Sequence, residues 1–201
     1  MRKLLLLSIV LGGFMAARPA LAVTPCATLS MTVTAALSSD PGYEGLYKYT
    51  VTGSWDVTQF GLSHIDFFLQ LKSLECICDP RVIKFGGGTS TGSDPNGACV
   101  VQYVGKYNCM GDPTVPAELQ APTVKFDVPD DATCRPGTVG TGTWVFYSPF
   151  HPGPYTVDPD GAAIKHGQGV CTGSLAGTMP FGDCTTATRP TSWGNLKSTY
   201  R

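Results

Sequence analysis

The sequence predicts an all-β fold, an antiparallel β-sandwich of Ig-like or jelly-roll style. Three observations predict it. Apolar and polar residues alternate with period two over most of the chain, which sends one side of each strand to a core and the other to water. Turn-forming clusters punctuate these runs at Asp40-Pro41-Gly42, Asp94-Pro95-Asn96-Gly97, Asp112-Pro113 and Asp158-Pro159-Asp160-Gly161, where Pro sets the first corner and Gly or Asn takes the positive φ. The chain holds 24 glycines and 16 prolines with only 14% charged residues, a composition of short strands and turns.

The strands follow in order. Leu29, Met31, Val33, Ala35 and Leu37 share one face, with Thr32, Thr34 and Ala36 on the other. In the clearest run, Tyr47, Tyr49, Val51, Gly53, Trp55 and Val57 point one way. Lys48, Thr50, Thr52, Ser54 and Asp56 point to the other, so one face is buried and one wet. Ile65, Phe67, Leu69 and Leu71 make a third strand, with His64, Asp66, Phe68 and Gln70 opposite. Shorter strands are predicted at 81–85, 99–104, 123–128, 142–147, 162–166 and 170–178. Trp55 and Trp144 fall at positions that bury them.

The organisation is a cleavable signal peptide over 1–22, a single β-sandwich domain over 23–190 and a tail over 191–201. Arg2 and Lys3 precede the uncharged run Leu4–Ala17, and Ala20-Leu21-Ala22 offers small residues for cleavage. That run is shorter than the roughly 20 residues of a membrane-spanning helix. No second long apolar segment exists, so no membrane span is expected in the mature chain. In the tail, Trp193, Leu196 and Tyr200 recur at helical spacing and predict a short helix or strap packed on the domain.

Cleavage removes three basic residues and leaves 11 against 15 acidic, a net charge of about −4. With no basic stretch, nucleic acid is not an expected partner. All eight cysteines (Cys26, Cys76, Cys78, Cys99, Cys109, Cys134, Cys171 and Cys184) survive cleavage. An even count in an exported chain favours disulfides over metal thiolates or catalytic thiols. Eight cysteines allow 105 pairings, so connectivity stays open. Cys76 and Cys78 flank Ile77 and would point to one strand face, each toward a separate partner. Cys171 and Cys184 are a candidate pair closing a terminal loop.

Chemistry-bearing motifs are few. Gly61-Leu62-Ser63-His64 runs into Ile65 and is not a nucleophile elbow. Strand alternation puts Ser63 on the face opposite His64 and Asp66, so these three are not expected to form a relay. His64 and Asp66 share a face, where they could bind a metal or orient a ligand; with no third ligand at a recognisable spacing, they are read as a local ion pair or hydrogen bond on a wet sheet face. His151 and His166 are isolated, and neither a metal site nor a cofactor is expected. Gly86-Gly87-Gly88 lacks the Lys and Ser/Thr of a phosphate cradle and reads as a flexible strand-to-loop exit. The turns around Asp94, Asn96, Asp158 and Asp160 lack the ligand series of a calcium loop and read as plain turns. Tyr147, Phe150 and Tyr155, in a Pro-rich aromatic segment, are the candidate ligand-binding residues, weighed against a crossover that packs its own rings.

Several segments resemble a group of exported bacterial β-sandwich domains. They are Tyr47-x-Tyr49-x-Val51 leading to Gly61-Leu62-Ser63-His64-Ile65-Asp66, then Cys76 and Cys78 followed by Val82-Ile83-Lys84-Phe85. Trp144-x-Phe146, Tyr155-Thr156-Val157 and Ala163-Ile164-Lys165-His166-Gly167 complete the set. The resemblance covers about residues 44 to 185. It implies a secreted or cell-surface module and supplies no catalytic residues. Members often end in a sorting tail with an apolar span, which the polar 193–201 segment does not match. The expected function is therefore a non-enzymatic structural or adhesive module. A glycan- or ligand-binding module is the second possibility, with a glycan or cell-surface protein as partner. The third is a hydrolase assembled from distant residues, a case that convergence of several of His64, Asp66, Asp127 and Asp158 in one concave pocket would raise and their dispersal would sink.

Overall fold

The computed structural model describes residues 23–57, 59–69, 78, 82–167 and 169–181, with backbone alone for 23–25 and 154–160. Nine strands run in chain order: β1 (Val23–Leu37), β2 (Tyr47–Asp56), β3 (Leu62–Phe68), β4 (Lys84–Asp94), β5 (Gly97–Asn108), β6 (Thr123–Asp127), β7 (Val139–Ser148), β8 (Pro152–His166) and β9 (Gly169–Pro180). They pair in the circular order β1-β2-β7-β4-β5-β6-β3-β8-β9. The last step, β9 onto β1, is parallel and closes the ring, while the other eight pairings are antiparallel.

The expected β-sandwich is thus corrected to a closed β-barrel. A strand with one buried and one wet face carries the same alternation in either architecture. What separates them is whether the outermost strands find each other, and closure removes the sheet edges that a sandwich leaves open. Register shifts at 25/30 in β1, 62/64 in β3, 85/87 in β4 and along β8 supply the local bends that closure needs.

The interior is aromatic. Trp144 meets Trp55, Phe67 and Tyr103 at ring-centroid distances of 6.3, 5.6 and 5.7 Å. Phe126 meets Phe67 and Phe85 at 6.1 and 5.6 Å, both edge-on, a preferred arrangement of aromatic quadrupoles. Trp55 and Trp144 are buried as expected. The glycine run 86–88 does not leave the strand but lies inside β4. Gly87, at φ +90°, forms the bulge, and a Cβ on Gly88 would stand 2.3 Å from Trp144 Cδ1. These glycines serve the bend and the packing of the tryptophan.

Asp94 and Gly97 bound a tight hairpin in which the Asn96 N–H donates to Asp94 Oδ1 at 2.7 Å. The Asp158–Gly161 segment, expected as a turn, instead runs within the bulged strand β8. Three disulfides join Cys26 to Cys171, Cys78 to Cys109 and Cys99 to Cys134. Cys171 therefore bridges to β1 across the closure, not to Cys184. Cys78 has its own partner, as predicted for the Cys76/Cys78 pair. Cys76 and Cys184 lie outside the described residues, as do the segments 1–22 and 191–201. The bridges fit an oxidising environment. Among the described residues no helix is long and apolar enough to cross a membrane.

Candidate functional site

Two features of the outer wall stand out, on opposite sides of the ring. The first lies over β3 and β6. The segment between β5 and β6, with a 3-10 turn at Ala117–Leu119, folds over the outer side of these strands as a roof. Val115, Leu119 and Ala121 of the roof pack against Phe68, Ala163 and Val170 on the wall. Gln120 Nε2 donates to the Asp112 and Val115 carbonyls at 2.7 and 3.0 Å, which holds the roof in shape. The expected wet face of β3 is therefore buried, with His64 4% and Asp66 0% exposed. The polar surface read from alternation was correct in direction and wrong in environment, because a distant loop covers it.

Under the roof, five charged or titratable groups meet. Register places His64 opposite Asp127 and Asp66 opposite Lys125. The roof adds Asp112. His64 Nε2 lies 3.4 Å from Asp66 Oδ2 and 3.6 Å from Asp112 Oδ2, while Nδ1 faces Asp127 Oδ1 at 3.7 Å. Lys125 Nζ pairs with Asp112 Oδ2 at 2.7 Å and Asp127 Oδ1 at 3.1 Å. Thr114 stands beside them, its Oγ1 3.3 Å from His64 Nε2 and donating to Asp112 Oδ1 at 2.8 Å.

The electrostatics divide these acids. Burial pushes the Asp66 carboxyl up, against the opposing pull of His64. Burial also acts to raise Asp112, but the Lys125 ammonium and the Thr114 donors outweigh it and hold that carboxyl low. For Lys125, burial acts to lower the ammonium and the Asp112 and Asp127 carboxylates outweigh it, so its value is raised. Neither oxygen of Asp66 accepts a hydrogen bond.

A cleft of about 260 Å³ opens beside this cluster, lined among others by Ser63, His64, Thr114, Lys125 and Asp127. Ser63 was expected on the opposite face from His64. The register shift between Leu62 and His64 breaks the alternation, so Leu62 enters the core and Ser63 joins His64 on the outer side. The Ser63 hydroxyl donates to the Lys165 carbonyl at 2.9 Å. Of the four residues whose convergence was at issue, His64, Asp66 and Asp127 meet here. Asp158 is placed in β8 by its backbone, opposite Leu175.

The second feature is a ladder of hydroxyls across β1, β2, β7 and β4. Thr32 pairs with Thr52, Thr52 with Thr143 and Thr143 with Thr89. The next rung is Ser30, Ser54 and Thr141. Thr91 ties into it, accepting from the Thr141 N–H at 3.1 Å. Rungs on adjacent strands are spaced by roughly 4.8 Å and successive rungs along a strand by about 6.7 Å. A shallow groove of about 460 Å³ crosses this face, lined by Thr52, Thr89, Thr91, Thr141, Thr143 and Val100 among others, with no charged residue.

The aromatic segment contributes less surface than expected. Tyr147 is 4% exposed, stacks on Tyr43 and donates to Asp40 Oδ2 at 2.6 Å. Phe150 is half-buried against the core, and its carbonyl accepts from Tyr49 at 2.8 Å. The Tyr155 side chain lies outside the described residues. His151 does not stand alone, since its Nδ1 is 2.7 Å from the Tyr47 hydroxyl.

Sequence reasoning missed Asp112, Thr114 and Lys125. Asp112 was read as half of a turn, and nothing in its local pattern points back to a strand some fifty residues earlier. No protein-family model matches the chain, and no curated protein matches it.

Proposed function

We propose that this chain is a non-enzymatic binding module, exported and working outside the cytosol, that adheres to neutral glycan through the hydroxyl ladder of β1, β2, β7 and β4. One observation carries the reading: the uncharged threonine-lined groove that crosses β2, β7, β4 and β5 beside the ladder. Hydroxyls set on a rigid sheet both donate and accept, and so match the hydroxyls of a neutral sugar chain. A packed aromatic interior leaves the outer wall as the surface for contact, and the three disulfides fit an oxidising destination.

The test is retention on insoluble neutral polysaccharides, compared between the wild type and the outward-facing variants Thr52→Lys and Thr143→Lys. Retention should fall about tenfold, the equivalent of 1.4 kcal/mol, with the melting temperature unchanged. A wild type that binds none of a broad set of neutral glycans would refute the reading.

Hydrolysis is the second reading, favoured by the meeting of His64, Asp66 and Asp127 beside the Ser63 cleft. The engaged Ser63 hydroxyl ranks it below binding. Turnover of an ester or glycoside panel that disappears in His64→Ala would reverse that order.

A further inference from the structure

The geometry points to a divalent-cation site beneath the 109–122 roof, with His64 Nε2, Asp66 Oδ2 and Asp112 Oδ2 as ligands and a zinc-like ion as occupant. This site lies across the barrel from the hydroxyl ladder and does not depend on the glycan reading.

Four observations carry it. The donor atoms of these three buried residues all lie within 4.8 Å of one another. The His64–Asp66 and His64–Asp112 separations of 3.4 and 3.6 Å match the edge of a tetrahedron with bonds of about 2.0–2.1 Å, which is roughly 3.4 Å. The Asp66 carboxylate is fully buried, and neither of its oxygens accepts a hydrogen bond. A buried anion in that state needs a proton or a cation. The imidazole is also turned correctly: Nε2 faces both ligand carboxylates while Nδ1 faces Asp127. A proton on Nδ1 directed at a carboxylate fixes the tautomer that leaves Nε2 free to ligate.

Charge and access agree with these distances. Within the cluster, Asp66, Asp112 and Asp127 set three carboxylates against the ammonium of Lys125, an imbalance a divalent ion offsets, while Asp130, Arg135 and Lys165 line the mouth of the cleft. The cleft at His64, Thr114 and Lys125 is an entry path. Three protein ligands leave a fourth position open, with the Thr114 hydroxyl or water beside it. A nitrogen and two carboxylate oxygens suit zinc better than calcium, which takes six to eight oxygens.

Lys125 competes for the site. Its ammonium sits 2.7 Å from Asp112 Oδ2, so an entering ion must displace it, and Asp127 at 3.1 Å is ready to receive it. The competition gives the test a direction that mere structural damage cannot imitate.

The full exported chain, stripped with chelator, is titrated with zinc chloride by calorimetry and by thermal shift. Cobalt(II) absorption reports the coordination geometry. One ion per chain is expected, with a raised melting temperature and a tetrahedral cobalt spectrum. Asp66→Asn should abolish binding, Asp127→Asn should weaken it about ten- to a hundredfold, and Lys125→Met should tighten it about tenfold or more. A wild type that takes up neither zinc nor cobalt, or binding that Asp66→Asn leaves intact, overturns the proposal. So does a folded Lys125→Met variant that binds no more tightly than the wild type.

Discussion

Trp144 gathers the interior around itself, and its neighbours are chosen to leave it room. A Cβ on Gly88 would stand 2.3 Å from Cδ1 of the indole, and one on Gly142 would stand 2.6 Å from Cη2. Gly88→Ala therefore forces the indole or the β4 backbone to move, at a cost of about 1–3 kcal/mol, measured by urea unfolding. Tyr103 adds a pH effect. Its hydroxyl is 2.9 Å from Ser90 Oγ, and burial pushes the phenol up to about 12. An unfolded tyrosine loses its proton near 10. Between these values the folded state holds the proton that the unfolded chain has released, so stability falls as pH rises through that window. Tyr103→Phe should lower stability at pH 7 by about 1 kcal/mol yet flatten the decline above pH 10, followed by denaturant unfolding at several pH values. At this scale the sequence marked Trp144 as buried from strand parity alone. It did not mark Asp112 as a partner of His64, because that contact is made by a loop whose path no local pattern encodes.

The roof over β3 and β6 is an element without regular structure, held by a few identifiable contacts. Cys109 anchors its start through Cys78, and Gln120 closes its far end onto the Asp112 and Val115 carbonyls. Gln120→Ala removes both bonds at about 1 kcal/mol each. Amide exchange in 109–122 should then accelerate by about tenfold or more, while the interior strands keep their protection. Equal acceleration in the strands would mean that roof and barrel open together. Most strands were legible from alternation, including the turn at Asp94–Gly97. The failures share a cause. Gly86–Gly88 and Asp158–Gly161 carry turn chemistry yet sit at register shifts within long strands, where residues that tolerate a local bend serve as well as they do in turns. Ser63 was misplaced for the same reason, since a bulge shifts parity by one.

For the whole molecule, the decisive contact joins β1 to β9 across nearly the full chain. Such a pairing must repay a large loop-closure entropy before any stability returns. Removing the Cys26–Cys171 bridge, whose ends are separated by 145 positions in sequence, should cost about 2–5 kcal/mol in the Cys26→Ser/Cys171→Ser double variant. Refolding of that variant should also be slower than that of the oxidised wild type, read by stopped-flow tryptophan fluorescence. Period-two patterning predicted the all-β class and could not choose between sandwich and barrel, because closure is a property of which strands end up adjacent.

That seam also determines how the molecule bears tension. The start of β1 and the start of β9 lie side by side, and Cys26 is bonded to Cys171 near both. Without the bridge, a pull between Val23 and Pro180 would enter at one end of the parallel pair and leave at the other, shearing the ladder rather than unzipping it bond by bond; with the bridge intact the load bypasses that ladder. The force crosses the sulfur bridge directly from β1 to β9. Everything between those two cysteines, most of β1 together with β2 to β8 and their connections, lies outside the line of stress and cannot be drawn out while the bridge holds. Between Val23 and Pro180, the length that can yield to traction is confined to the short stem before Cys26 and the run of β9 beyond Cys171.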